Sequence, residues 1–193
     1  LPILPQELFL FDISNETSFD GEKWPSNSSG VSLSVPIGLY DDPANQTQDI
    51  LTIDFVKDGN LAVCGAVASG KSTFLQTLLF ALVNKYSPEQ VTIYCLDYSN
   101  HLLAPFETVA HVGGVVFDDG SDRAEKLFVL ISKTIIERKS LFQGGSYSQY
   151  VRASKEKLPY IVVAIDNYAS FREKTENRFH HPHGKQQHIK QNI

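Results

Sequence analysis

Apolar positions along this chain fall into two rhythms. Leu51-Thr52-Ile53-Asp54-Phe55 alternates with period two, as does Val31-Ser32-Leu33-Ser34-Val35 upstream, and both read as strands with one buried face. Lys57-Asp58-Gly59-Asn60 is a turn. Leu61-Ala62-Val63-Cys64 is apolar without a break, the pattern of a strand buried on both faces. Phe74, Leu75, Leu78, Leu79, Leu82 and Val83 then recur at helical spacing until Ser87-Pro88 stops the helix. Val91 to Leu96 and Tyr160 to Ile165 are two further buried-strand runs, with a shorter one at Val115-Val116-Phe117. Ala124, Leu127, Phe128, Ile131, Ile135 and Leu141 mark a long amphipathic helix, opened by a capping pair at Asp122 and Glu125 and ended by Gly144-Gly145. Strands alternating with helices predict an α/β fold with a mainly parallel sheet covered on both faces.

The flanks differ. Five of the nine prolines lie in the first 43 residues, among Ser and Asn clusters, so residues 1–49 read as an irregular lead-in with short strands. Four of the six histidines, His180, His181, His183 and His188, crowd into the last 14 residues, where apolar periodicity vanishes. Residues 179–193 therefore read as a disordered or non-native tail rather than a metal site. Sequons at Asn15, Asn27 and Asn45 are read as chance matches in polar loops.

Composition narrows the picture. With 193 residues, 42% hydrophobic, the chain can bury one real core and is not disordered, fibrous or disulfide-framed. Acidic residues outnumber basic ones 22 to 17, which argues against a general nucleic-acid footprint. Cys64 and Cys95, both in apolar runs, are expected as reduced buried thiols. No apolar run reaches the ~18–20 residues of a membrane span, and nothing resembles a signal peptide. The lack of any methionine suggests a piece of a longer polypeptide.

One motif carries chemistry. Gly65-Ala66-Val67-Ala68-Ser69-Gly70-Lys71-Ser72 matches the phosphate-binding loop G-x-x-x-x-G-K-[ST] in full, between a predicted strand and a predicted helix. Its glycines let backbone N–H groups turn towards phosphate oxygens, and the helix start adds positive potential. Lys71 supplies a cation to the outer phosphates and the Ser72 hydroxyl can ligate magnesium, with Thr73 a neighbouring hydroxyl. Such a loop calls for an aspartate at the end of another buried strand to hold the magnesium shell. Asp166 is favoured because its strand is longer and more apolar, and Asp97 is the competitor. Asn167 follows where a water-polarising glutamate would serve hydrolysis, and an amide accepts no proton. Glu107, His111, Asp118 and Asp119 carry weaker signals near strand ends. Tyr147 and Tyr150 pack locally or dock a neighbour, packing being the simpler reading.

These stretches together resemble the FtsK/SpoIIIE-type ATPase domains of the EssC/EccC proteins of type VII secretion. The likeness rests on Leu51–Phe55, Gly59–Val63, the phosphate loop with Ser72 to Thr77, Tyr94–Tyr98, His111–Val115, Glu137–Phe142, Ile165–Tyr168 and the lead-in Val35–Pro43. It implies a RecA-like P-loop NTPase fold over residues 50–178, with the C-terminal helix and final strands expected after Phe179 absent. It also implies ATP and Mg2+ as ligands, held by Gly65, Gly70, Lys71, Ser72 and Asp166. The implied location is the cytoplasmic face of a membrane-anchored chain. Implied partners are other ATPase modules and ring neighbours, small helical-hairpin secretion substrates and membrane secretion subunits. Asn167 points to a degenerate, weakly or non-hydrolysing module. Two other readings stand beside it: a DNA-translocating FtsK-like motor, against which the acidic balance argues, and a nucleotide-free protein-interaction module.

Overall fold

The structure, a computed structural model, describes residues 4–14, 19–24, 32–120, 122–154 and 156–180. A single helical turn, α1 (Leu10–Ile13), precedes an antiparallel hairpin of β1 (Ser34–Asp42) and β2 (Thr47–Asp54). Then follow α2 (Lys71–Lys85), β3 (Val91–Asp97), a 3-10 turn at Ala104–Thr108, β4 (Val112–Phe117), α3 (Arg123–Phe142), α4 (Tyr147–Ser154), β5 (Tyr160–Asp166) and α5 (Tyr168–His180). The strands β4, β3 and β5 form a parallel sheet in that order, with β3 in the centre.

Alternation along β3 divides the core in two. Val91, Ile93 and Cys95 face Leu78, Leu79 and Leu82 of α2, together with Leu33 and Val35 of the hairpin arm. Tyr94 and Leu96 point the other way, onto Ala124 and Leu127 of α3 and Phe171 of α5. Helices thus cover both faces, as parallel strands require when neither face meets water. Burial also pushes the Cys95 thiol up to about 12, with the nearby Asp97 charge adding to the shift.

Leu61–Cys64 is not a strand: Leu61 and Val63 are 43% and 42% exposed, and Cys64 is exposed too. A run of this kind becomes a strand only when a neighbouring backbone supplies its ladder, and β5 is paired on its β3 side alone among the described residues. For the same reason β5 is an edge strand rather than an interior one. The Asp122 side chain makes no capping hydrogen bond; its carbonyl instead accepts from Lys126 N–H at 3.0 Å. Upstream, the strand expected at 31–35 starts only at Ser34 and continues to Asp42, and the Asp42 carboxylate folds the reversal by accepting from the Ala44 and Asn45 amides at 3.1 and 3.2 Å. Val31, Asn15, Asn27 and residues 181–193 lie outside the described residues.

Candidate functional site

The phosphate-loop motif leads straight into α2. Gly70 takes the N-cap position at φ +85°, a left-handed conformation that glycine adopts without steric penalty, and the Phe74 amide donates to its carbonyl at 2.8 Å. A Cβ at Gly65 would stand 2.6 Å from Ser69 Oγ, so a larger residue there would have to turn that hydroxyl aside. Ala68 holds φ +61° without being glycine, and Val67 projects into solvent at the loop apex.

Lys71 is folded back over its own loop. Its Nζ donates to the Gly65 carbonyl at 3.0 Å and the Ala66 carbonyl at 2.6 Å. Ser72, one residue on, reaches β5, its Oγ lying 2.9 and 3.0 Å from the two carboxylate oxygens of Asp166. Thr73 points outward, and its carbonyl accepts from Thr77 Oγ1 at 3.0 Å.

Asp166 and Asp97 are register partners at the ends of β5 and β3, and both are buried. Their engagements differ. Asp97 accepts from the Ser99 and Leu103 amides at 3.1 and 2.9 Å, so its carboxylate organises the loop after β3. Asp166 is engaged by the Ser72 hydroxyl beside the phosphate loop.

Asn167 sits at φ +60°, where asparagine is among the tolerated residues. Its Oδ1 accepts from the Ser170 amide at 3.3 Å, capping α5, and its Nδ2 donates to the Tyr98 carbonyl at 3.0 Å. Both ends of the amide are thus committed to structure. Gln76, which the sequence does not single out, donates to the Leu102 carbonyl at 2.5 Å and ties α2 to the loop after β3. Only an interior polar residue in the α2 pattern hinted at it.

The weaker candidates scatter. Glu107 is exposed in the 3-10 turn, and Asp118 pairs with Lys174. His111 is buried at the far end of the sheet, its Nε2–H donating to the Tyr86 carbonyl at 2.6 Å, with the Trp24 ring against it. Tyr147 and Tyr150 pack on Phe142 and donate to the Leu158 carbonyl and the Glu156 carboxylate.

The residues present suit a magnesium nucleotide. Two cis ligands of an octahedral ion with ~2.0–2.1 Å bonds stand ~2.9 Å apart, which is the separation of Ser72 Oγ and Asp166 Oδ1. A hydroxyl and a buried carboxylate are hard oxygen donors, and Lys71 supplies a cation at the loop.

Residues 18–150 match the FtsK/SpoIIIE family. The chain belongs to that family. It is 32% identical to the ESX secretion system protein EccC of Geobacillus thermodenitrificans over 152 residues, 77% of this chain and 10% of that protein. It is 29% identical to the type VII secretion system protein EssC of Staphylococcus aureus over 176 residues, 90% of this chain and 12% of the relative. The chain therefore spans about a tenth of the length of these curated relatives. Among solved structures, EssC ATPases 2 and 3 from G. thermodenitrificans superpose with a TM-score of 0.69 at 31% identity, covering 75% of this chain and 28% of that one. The cytoplasmic domain of Thermomonospora curvata EccC, a type VII secretion ATPase, gives 0.70 at 26% identity, covering 92% and 21%. Homologues of this FtsK/SpoIIIE chain are thus type VII secretion ATPases, and its fold is that of their P-loop NTPase domains. No helix among the described residues is long and apolar enough to cross a membrane.

Proposed function

We propose that this chain is an ATP-binding, weakly hydrolysing module of a membrane-anchored FtsK/SpoIIIE-type motor for type VII protein secretion, residues 50–178 being its ATPase unit. The observation that carries the reading is the 2.9 Å contact between Ser72 at the start of α2 and Asp166 at the end of β5. Gly65 to Thr73 would wrap the phosphates, and Ser72 with Asp166 would hold Mg2+. Bound MgATP supplies a phosphoanhydride whose outer charge the metal neutralises.

Lys71, which now donates to the Gly65 and Ala66 carbonyls, would supply its charge to the outer phosphates, an anionic acceptor in place of neutral ones. Ser72 would offer its hydroxyl oxygen, and Asp166 its carboxylate, as ligands to the cation. Asn167 accepts no proton, and its amide already serves Ser170 and Tyr98. The site therefore orients phosphate without a base on the residue after Asp166. In the parent chain the unit would work on the cytoplasmic face of the membrane, beside other ATPase modules and ring neighbours, with membrane secretion subunits and helical-hairpin substrates as partners.

The test is phosphate release at saturating MgATP, with Lys71→Ala as the contamination control. We expect lysine-dependent turnover far below the ~10 per second of a median enzyme. Turnover at that ordinary rate, abolished by Lys71→Ala, would overturn weak hydrolysis. Absence of nucleotide binding would overturn the reading as a whole.

A further inference from the structure

The segment ahead of the hairpin is fastened to the end of α2 that lies away from the phosphate loop. A helix leaves its last carbonyls without partners of its own. In α2 two of them are met from upstream. The Phe19 amide donates to the Asn84 carbonyl at 2.8 Å, and the Trp24 indole Nε1–H to the Val83 carbonyl at 2.8 Å. Between them Asp20 builds a tight turn, its carboxylate accepting from the Glu22 and Lys23 amides at 2.8 and 2.7 Å, with Gly21 at φ +103°. The turn brings the Phe19 and Trp24 rings within 4.3 Å of each other.

Against Trp24 lies His111. It is 3% exposed, and the two rings meet at 5.3 Å with an interplanar angle of 70°. Its backbone is fixed to the sheet, the His111 carbonyl accepting from the Ile93 amide at 2.8 Å. Its Nε2 lies 2.6 Å from the Tyr86 carbonyl, and a carbonyl only accepts, so the proton of the neutral ring sits on Nε2. Nδ1 then keeps its lone pair, buried and with no hydrogen-bond partner among the described residues.

A neutral ring leaves one weak acceptor unmet in that place. A protonated ring would put an N–H donor and a full charge there, away from water, which costs far more. The influences on this imidazole are burial, which lowers its pKa, and the Tyr86 carbonyl, which raises it. The charged groups of the surrounding elements are engaged elsewhere or exposed. On the upstream segment Asp20 is turned to its own amides, and Glu22 and Lys23 are exposed. At the end of α2, Lys85 Nζ and the Tyr86 phenol both donate to the Ser34 carbonyl, at 2.6 and 3.0 Å. Glu89 beyond the helix and Glu107 in the 3-10 turn are exposed.

We propose that residues 19–24 are an acid-released latch, closed over neutral His111 and opened when Nδ1 is protonated. Opening lets water reach the new Nδ1–H and returns the Val83 and Asn84 carbonyls to solvent. The lead-in is then freed from the helix that begins at the phosphate loop. The two events are linked: each unit by which closure lowers the His111 pKa below 6.5 is a tenfold preference of the closed latch for the neutral ring. The latch is tightest above that value and loosens as pH falls below it. The device does not depend on the nucleotide reading.

Trp24 is the only tryptophan of the chain, so its fluorescence and its single indole N–H resonance report the latch directly. The experiment titrates the 15N-labelled chain from about pH 8 to about pH 5 at constant ionic strength, with far-UV ellipticity followed in parallel. Acrylamide quenching of Trp24 should rise several-fold below pH 6.5, and its indole N–H should lose protection from exchange, while the ellipticity holds. His111→Gln, which cannot titrate, should keep Trp24 shielded throughout. Phe19→Ala loosens the latch without touching the imidazole. It should therefore move the midpoints of both the Trp24 transition and the His111 ring titration up towards 6.5, because the coupling is reciprocal. This second variant decides the matter if the first fails to fold. An unchanged Trp24 signal, a change that coincides with loss of ellipticity, or a transition that survives in His111→Gln would overturn the proposal. So would a His111 midpoint indifferent to Phe19→Ala, or a Trp24 better shielded in acid, the sign that the charged ring grips the indole instead.

Discussion

Ser72 Oγ lies 2.9 Å from Asp166 Oδ1, joining the first turn of α2 to the last residue of β5 across 94 positions of sequence. Among the described residues, a single side-chain hydroxyl hydrogen-bonds this buried carboxylate. Ser72→Ala should therefore destabilise the free protein by about 1–3 kcal/mol, the penalty of stranding a buried acceptor. Asp166→Asn should keep the hydrogen bond yet lose the magnesium dependence of nucleotide binding. Thermal unfolding of the first variant, and calorimetry of the second with ATP in magnesium and in EDTA, check the two halves.

Asn167 combines a left-handed backbone with a helix cap, and the two contributions separate on substitution. Asn167→Gly keeps the backbone and should cost a few tenths of a kcal/mol for the cap plus about 0.5–1.5 kcal/mol for the lost hydrogen bond to Tyr98, which both variants share. Asn167→Ala adds the left-handed penalty of roughly 1–2 kcal/mol. Denaturant unfolding should rank wild type, Gly, then Ala. Equal stability of the two variants would contradict the conformational argument.

The two thiols should react on different clocks. Cys64 is exposed at the entrance to the phosphate loop, whereas Cys95 is fully buried between α2 and the sheet. A thiol reagent at pH 8 should modify Cys64 at once and Cys95 only on unfolding. MgATP should slow the reaction at Cys64, which adjoins Gly65. Mass spectrometry of the labelled sites provides the readout.

His111 makes stability pH-dependent. Burial lowers its pKa, outweighing the upward pull of the hydrogen bond to Tyr86, so the folded state binds the proton less readily than the unfolded one. This contribution is complete above the ordinary imidazole value of 6.5 and is lost as pH falls below it, until the folded-state pKa is passed. His111→Gln should flatten the stability profile below pH 6.5. An unchanged slope in that variant would show that other groups set it.

Much of this architecture was legible from spacing alone. The helix α2 and the strands β3 and β5 follow the apolar rhythms because each packs a face that sequence periodicity reports, whereas α3 forms as expected but buries only Ala124 and Leu127 of its stripe and leaves Phe128, Ile135 and Leu141 exposed. Leu61–Cys64 fails for a physical reason: a strand exists through its ladder partner, and four apolar residues in a row say nothing about whether a neighbouring backbone is present. The helix α4 escaped notice because its apolar positions are tyrosines among serines, and α5 because its surface is nearly all polar. At the site, the loop and its glycines are written in local sequence. The engagement of Asn167 by Tyr98 arises from folding across 69 positions of sequence and has no local signature.

The central claim is that the loop from Gly65 to Ser72 binds MgATP through Lys71. Calorimetry of wild type and Lys71→Ala tests it most directly. Losing a charge-assisted hydrogen bond to phosphate removes about 1.5–3 kcal/mol, so MgATP should bind the variant about tenfold to a hundredfold more weakly. Equal affinities in the two proteins would contradict the account.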